Sequence, residues 1–270
     1  MKKIGFIGYG SMGKVIINGF LISGVLKPDE VIISTRTESK LDELKNNYSE
    51  IEIAPDNSTT ASKSNLLFLL VGTSDVKEVL EEIKGFISEN SHVVYISAAL
   101  TIENVDRIFR GKITKVMPSV TSQVLEGVSL ICHNSAVTND EAKHINALFS
   151  SIGEVKIIDE ADFDVGADIT SCSPAFIASI CMEFAAAASN NSEFSRKETE
   201  EMVIKTLYGT SKLLYENNMG FENMISLVAT KGGITEEGLK VLDAEIPEIF
   251  DKLFRKTIKK HQIIKRTLYE

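Results

Sequence analysis

The sequence predicts an α/β fold, with a doubly wound parallel sheet over residues 1–158 followed by an all-helical domain over 159–270. Three observations carry that expectation. Short β-branched and apolar runs alternate with amphipathic stretches as far as Asp159, the pattern of strands joined by crossover helices. Beyond Asp159 no convincing strand follows, and Ala-, Leu-, Ile- and Met-rich helical periodicity takes over. A glycine-rich turn, Gly8 to Gly13, separates the first strand from the first helix.

Taken in order, the strand candidates are KIGFIG, VIIST, LLFLLV, HVVYIS, ITKVM, VSLIC and VKIID. Several are apolar on consecutive residues, as strands covered on both faces are. Helical patterns lie between them over Met12–Ser23, Glu38–Asn46, Asp75–Phe86 and Asn139–Ser150. The second domain shows helical periodicity over 173–189, 195–216 and 236–266. Its middle helix opens with Ser195 and, three residues on, Glu198, the spacing of a capping box. Met202, Val203, Leu207, Leu213 and Leu214 are expected to form a buried stripe on that helix, and Ala185 to Ala188 permit close approach of another helix, from this chain or a second copy.

Composition bounds the function. A chain of 270 residues holds one or two domains, and 43% hydrophobic with 25% charged residues is ordinary for a globular protein. A net charge of −9 argues against a broad grip on nucleic acid or an anionic membrane, since both need clustered positive charge. Cys132, Cys172 and Cys181 have neither paired spacing nor even number, which suggests a reducing compartment. His92, His133, His144 and His261 match no metal spacing, so no metal is expected. The N-terminal apolar run is broken by glycines, unlike a signal peptide. The stretch PAFIASICMEFAAAA carries Glu183 and is shorter than the ~20 residues of a span, so no membrane is expected and the protein reads as cytoplasmic.

Gly8-Tyr9-Gly10-Ser11-Met12-Gly13 is G-x-G-x-x-G, placed after a strand and running into a helix, the context in which it marks a Rossmann dinucleotide site. The first glycine permits the tight turn, the second lets the backbone approach a pyrophosphate, and the third lets helix and strand pack closely. The second strand, VIISTRTESK, lacks the acid that usually takes the ribose 2′-hydroxyl of NAD. Ser34, Thr35, Arg36 and Thr37 stand there instead and suit a 2′-phosphate, so NADP(H) is preferred, with NAD(H) a second possibility.

A second constellation lies far downstream, in VATKGGITEEGL. Gly232 and Gly233 can adopt backbone angles closed to other residues, Thr235 suits an N-cap, and Glu236 and Glu237 suit a first helical turn. Such a turn presents N–H donors to an anion of carboxylate size, though a plain interhelical turn fits the same residues.

GFIGYGSMG, the strand ending in STRT, VMPS followed by EGVSL, SCSPAF leading to Glu183, and TKGGIT followed by EGL together resemble pyrroline-5-carboxylate reductase along essentially the whole chain. PSVTSQVLEGVSL with KGGITEEGL is closer to the family's late-competence, ComER-type branch. The resemblance implies an NAD(P)H-dependent imine reductase that makes proline from a cyclic imino acid. It also implies a homodimer interlocked through the C-terminal helices, often within a higher oligomer. By that likeness Gly8 to Gly13, Ser34, Arg36, Asn57, Val71, Gly72, Ser97 and Ala98 line the cofactor. Thr230, Gly232, Gly233, Ile234 and Thr235 hold the substrate carboxylate, with Met117 and Pro118 nearby and Thr235 supplying the hydroxyl contact.

The sequence departs from the family pattern in places. Leu70-Val71-Gly72-Thr73 stands where A-V-K-P is usual, Ser173-Pro174-Ala175-Phe176 replaces G-P-A-Y, Lys231 and Ile234 sit inside the glycine loop, and Ala99 takes the place of a glycine after the fifth strand. Two alternatives stay open: a paralogue that binds NADP(H) but has lost or changed its activity, and a β-hydroxyacid dehydrogenase. The latter pattern wants an Asn four residues after a catalytic Lys, and Lys212 is followed by Leu213, Leu214, Tyr215 and Glu216.

Overall fold

In the computed structural model, which describes residues 3–269, eight strands form one sheet in the order β3-β2-β1-β4-β5-β6-β7-β8. Strand β1 is Lys3–Ile7, followed by helix α1, Ser11–Ile22. Then come β2 (Val31–Ser34), α2 (Asp42–Asn47), β3 (Glu52–Ile53), α3 (Asn57–Lys63) and β4 (Ser64–Leu69). Helix α4 spans Val76–Ile83, β5 His92–Ile96, α5 Ile102–Asp106 and β6 Lys112–Met117. Strand β7 is Gly127–His133, α6 Asn139–Ser150 and β8 Gly153–Ile157.

Strands β1 to β6 pair in parallel, and β1 lies between β2 and β4. The sheet is not parallel throughout, because β7 runs antiparallel to β6. Nine residues separate Met117 from Gly127, too few for a crossover helix, so the chain turns back instead of crossing over.

The side-chain alternation of the strands sorts the core into two layers. Phe6, Phe68, Val94 and Val116 face one side, where the rings of Phe6 and Phe68 stack at 4.9 Å and Phe20 meets Phe149 edge-on at 5.4 Å. Ile7, Leu67, Leu69, Val93 and Tyr95 face the other side with Val76 and Leu80 of α4. Burial on both faces is why these strands read as continuous apolar runs.

Helix α7 is Phe163–Ala167 and continues through a π-turn, Asp168–Cys172, into α8, Ser173–Asn190. Helices α9 (Arg196–Glu216), α10 (Phe221–Val228) and α11 (Ile234–Tyr269) follow. Because α7, the π-turn and α8 fuse, the helical stretch Glu160–Asn190 is, among the described residues, long and apolar enough to cross a membrane, longer than the sequence run suggests. A helix destined to be covered by protein meets the same criterion.

The chain divides into two compact units, one reaching Cys172 and resuming at Thr257, the other Ser173–Lys256. In the first, the end of α11 lies against α7 and the π-turn. Thr257 Oγ1 donates to Asp168, His261 Nε2 is 3.1 Å from Asp168 Oδ1, and Lys265 Nζ donates to Asp164 at 2.7 Å. In the second, Ser195 and Glu198 form the expected capping box. The stripe on α9 is not buried within one chain: Met202, Leu207 and Leu213 are all exposed. Val203 and Leu214 are half-buried, on the helix that packs against α8.

Candidate active site

The first strand ends in a turn that only glycine can make. Gly8 has φ +102°, and a Cβ there would lie 2.5 Å from the Leu70 carbonyl oxygen at the end of β4. At Gly13 a Cβ would meet the Gly8 carbonyl at 2.9 Å, so this residue sets how closely α1 approaches the strand. Gly10 precedes α1 without a side-chain cap, the first turn of α1 carries no acid, and a Cβ on Gly10 would meet nothing within 4 Å. The N–H groups of the helix start are thus left to an anion approaching over Gly10.

A cleft of about 390 Å³ opens beside this turn, at the point where β1 is flanked by β2 and β4. Ligands of open α/β sheets bind at this reversal of strand order. Gly8, Tyr9, Gly10, Arg36, Asn57, Val71 and Gly72, drawn from four loops, all line it, as do Thr35 and Thr37. Burial raises the Tyr9 phenol above its ordinary value, and its hydroxyl donates to Asn18 Oδ1 at 3.3 Å.

Ser34 is buried beneath the cleft wall and donates to Asn57 Oδ1 at 2.8 Å, while Asn57 Nδ2 donates to Glu82 at 2.8 Å. Arg36 is 88% exposed and its Nη2 donates to Asp75 Oδ2 at 3.0 Å. Ser11 faces a separate groove with Lys14, Asn18 and Gln123. Ser97 and Ala98 follow β5, the neighbour of β4; the Ser97 hydroxyl accepts from Leu100 N at 2.9 Å. The glycine turn, the open approach at Gly10 and the exposed guanidinium at the cleft rim fit a dinucleotide.

Sequence reasoning missed several residues of this site. Asp75, Glu78 and Glu82 also line the cleft, with Lys40. Their spacing along α4 puts them on one helix face, a signal present in SDVKEVLEE once α4 is known to border the cleft. Lys115, outside the lining of that cleft, is another residue that sequence patterning does not single out. It is buried in β6, with Nζ 3.0 Å from Glu160 Oε1, 3.3 Å from the Ala98 carbonyl and 4.6 Å from the Phe163 ring centroid. Glu160 Oε1 also accepts from Ile102 N at 2.9 Å, so the pair ties down both ends of the loop after β5. Burial lowers the Lys115 pKa, and Glu160 opposes that shift. A charged residue inside the apolar run ITKVM was its visible trace.

Met117 ends β6, and the Pro118 carbonyl accepts from Ser171 Oγ at 2.9 Å, which fixes that turn against the π-turn. Cys172, beside it, has its thiol pKa pushed up by burial.

The glycine loop belongs to the second unit. Gly232 has φ +75°, as its sequence position suggests, whereas Gly233 is not in the left-handed region. Gly233 is required for space: a Cβ would lie 2.6 Å from Thr230 Oγ1. Thr235 is not the N-cap, because α11 begins one residue earlier, at Ile234, and Gly233 N already closes the turn onto Thr230 O at 2.9 Å. Thr235 sits in the first turn with its side chain exposed, and Ile234 is exposed beside it. Gly232 N donates to Glu236 Oε2 at 2.7 Å, so an internal carboxylate occupies this donor. Lys212 forms a solvated pair with Glu216 at 3.5 Å, an ordinary i,i+4 contact on a helix surface.

A phosphate-ready glycine turn over a switch-point cleft, joined in one chain to a bundle of long helices, defines a nucleotide-binding Rossmann protein with a helical partner unit. Residues 3–101 match the family model described as NADP oxidoreductase, coenzyme F420-dependent, and residues 160–264 match that for pyrroline-5-carboxylate reductase dimerisation. The chain is 35% identical to pyrroline-5-carboxylate reductase 3 of Bacillus subtilis, covering 98% of this chain and 97% of the relative. It is 28% identical to ComE operon protein 4 of the same organism, over 96% and 95%. The crystal structure of Plasmodium falciparum pyrroline carboxylate reductase with NADP bound superposes with a TM-score of 0.83 at 22% identity, covering 99% of this chain and 98% of that one. The chain belongs to the pyrroline-5-carboxylate reductase family.

Proposed function

We propose that this protein is an NADP(H)-dependent imine reductase that converts pyrroline-5-carboxylate to proline, acts in the cytoplasm as a homodimer interlocked through its helical unit, and accepts NAD(H) as a second cofactor. One observation carries this reading. The cleft over the glycine turn stands in a chain that aligns with a pyrroline-5-carboxylate reductase over 98% of its length. The exposed apolar faces of α8 and α9, within the stretch that matches the dimerisation model, support the homodimer.

In this reading the backbone N–H groups at the start of α1 bind the pyrophosphate. Arg36 takes the 2′-phosphate, with Ser34 and Asn57 shaping the ribose wall and Val71, Gly72, Ser97 and Ala98 lining the path toward the nicotinamide. When bound, NADPH supplies the hydride for the C=N bond. The chain contributes orientation: the substrate carboxylate displaces Glu236 from the Gly232 N–H and meets the Thr235 hydroxyl, Thr230, Gly233 and Ile234 shape that seat, and Met117 and Pro118 flank the ring. The imine nitrogen takes its proton from water, so no side-chain base is demanded.

The test is direct. Purified protein mixed with NADPH and pyrroline-5-carboxylate is expected to consume NADPH, followed by nicotinamide absorbance, and to yield proline. Clear NADPH binding without turnover would overturn the enzymatic reading and favour the non-catalytic paralogue.

A further inference from the structure

The rim of the nucleotide cleft carries more negative than positive charge. Arg36 and Lys40 are its cations, and Asp75, Glu78 and Glu82 of α4 and the residue before it are its carboxylates. Glu82 is engaged by Asn57 Nδ2, whereas Asp75 holds Arg36, the one guanidinium at the end of β2 that faces this cleft. Asp75 is well placed for this. It follows a turn in which Asp75 N donates to Gly72 O at 2.8 Å, and its carboxylate is 29% exposed while Arg36 is 88% exposed. Asp75 is thus held in the turn before α4, where Ser74 Oγ also donates to its Oδ1 at 3.0 Å, and Arg36 is a side chain extended into water.

We propose that Asp75 sets the cofactor preference of this protein by competing with the 2′-phosphate of NADP(H) for Arg36. The inference rests on the cofactor reading given above. A 2′-phosphate reaching Arg36 must displace the Asp75 carboxylate and then sit beside it, so its attraction to the guanidinium is partly cancelled by repulsion from the acid. NAD(H) has a neutral 2′-hydroxyl there and leaves the Arg36–Asp75 pair intact. The two dinucleotides are therefore held with more similar affinities than an unopposed arginine would give. Asp75 takes over, from the far side of the cleft, the charge role of the acid that β2 lacks.

The experiment is a double-mutant cycle read by binding, without substrate: wild type, Asp75→Asn, Arg36→Ala and the double variant, each titrated with NADPH and NADH, and with 2′,5′-ADP as a probe of the adenosine half. Asp75→Asn is expected to tighten NADPH and 2′,5′-ADP by about 3- to 10-fold at low salt, with the gain shrinking as salt is added, and to leave NADH within about twofold. In the Arg36→Ala background the same substitution is expected to give less than half of that gain. Equal effects on NADPH and NADH, no effect on either, or a full gain without Arg36 would each overturn the proposal. If the wild type binds neither dinucleotide, the cofactor reading fails first. Turnover plays no part in the readout, so a failure of the imine reductase assignment leaves this test intact.

Discussion

The rings of Phe6, Phe20, Phe68 and Phe149 in the sheet unit are wholly buried, while Ile204 and Tyr208 on α9 and Phe184 on α8 are 66%, 58% and 67% exposed. Both sets are large apolar side chains on regular elements of one chain, yet only the first finds its cover within that chain. The sheet unit closes its two core layers around β1, β4 and β5. In the helical unit, Ala185 and Thr199 are the buried residues of α8 and α9. At about 25 cal/mol per Å² of apolar surface, leaving those faces wet forgoes several kcal/mol, which a second copy of the same faces would recover. One unit covers its large rings by itself; the other leaves an apolar face open, in the stretch that matches a dimerisation model.

This contrast can be broken at either end. Phe68→Ala in the sheet unit is expected to cost about 3–5 kcal/mol of stability, seen as a lower denaturant midpoint that does not depend on protein concentration. The paired change Ile204→Glu with Leu207→Glu on α9 is expected to weaken self-association by at least about 100-fold, measured by sedimentation across a concentration series. A native-like dimer in that variant would show that another face is covered.

The two proposed anion seats sharpen the same contrast at finer scale. Thr235→Ala is expected to raise the KM for pyrroline-5-carboxylate by about tenfold, with the NADPH dissociation constant unchanged. A shift in NADPH affinity instead would move Thr235 out of the carboxylate seat. Glu236→Gln keeps a hydrogen-bond acceptor near Gly232 N–H but removes the negative charge, and is expected to lower that KM by about twofold. A rise in KM would show that the glutamate helps the loop and does not compete for it.

Much of this architecture is legible in the chain. The seven strand candidates and the G-x-G-x-x-G turn were readable because doubly covered strands are continuous apolar runs and the turn has few alternatives. Strand β3 was not, because two residues, Glu52 and Ile53, offer no period to detect. Helices α3 and α5 escaped for a related reason: NSTTASK and IENVD are short and polar, stabilised by the caps of Asp56 and Thr101 and by packing on the sheet, without an apolar stripe of their own. The reversal of β7 followed from loop length, which periodicity does not weigh.

At the site, the glycines and Arg36 announced themselves by residue type. Asp75, Glu78 and Glu82 did not, since acids on a surface helix look solvated until the opposing loop is known. The stripe on α9 is expected to be buried and within this chain is largely exposed, because periodicity marks an apolar face without saying whose atoms cover it. Threonine's preference for the cap points to Thr235, yet α11 starts one residue sooner, at Ile234, after a turn closed by Gly233 N and Thr230 O.

The chain leaves the sheet unit after Cys172 and rejoins it at Thr257, which makes the helical unit an insertion, closed at both ends by the same body. Shortening the protein from its C-terminus would therefore not trim the helical unit. A stop after residue 256 would strip Thr257, His261 and Lys265 from α7 and the π-turn, removing two partners of the buried Asp168 carboxylate. Truncation, proteolytic nicking or an appended tag at the C-terminus thus bears first on the nucleotide-binding half, although the sequence there reads as the tail of a dimerisation helix.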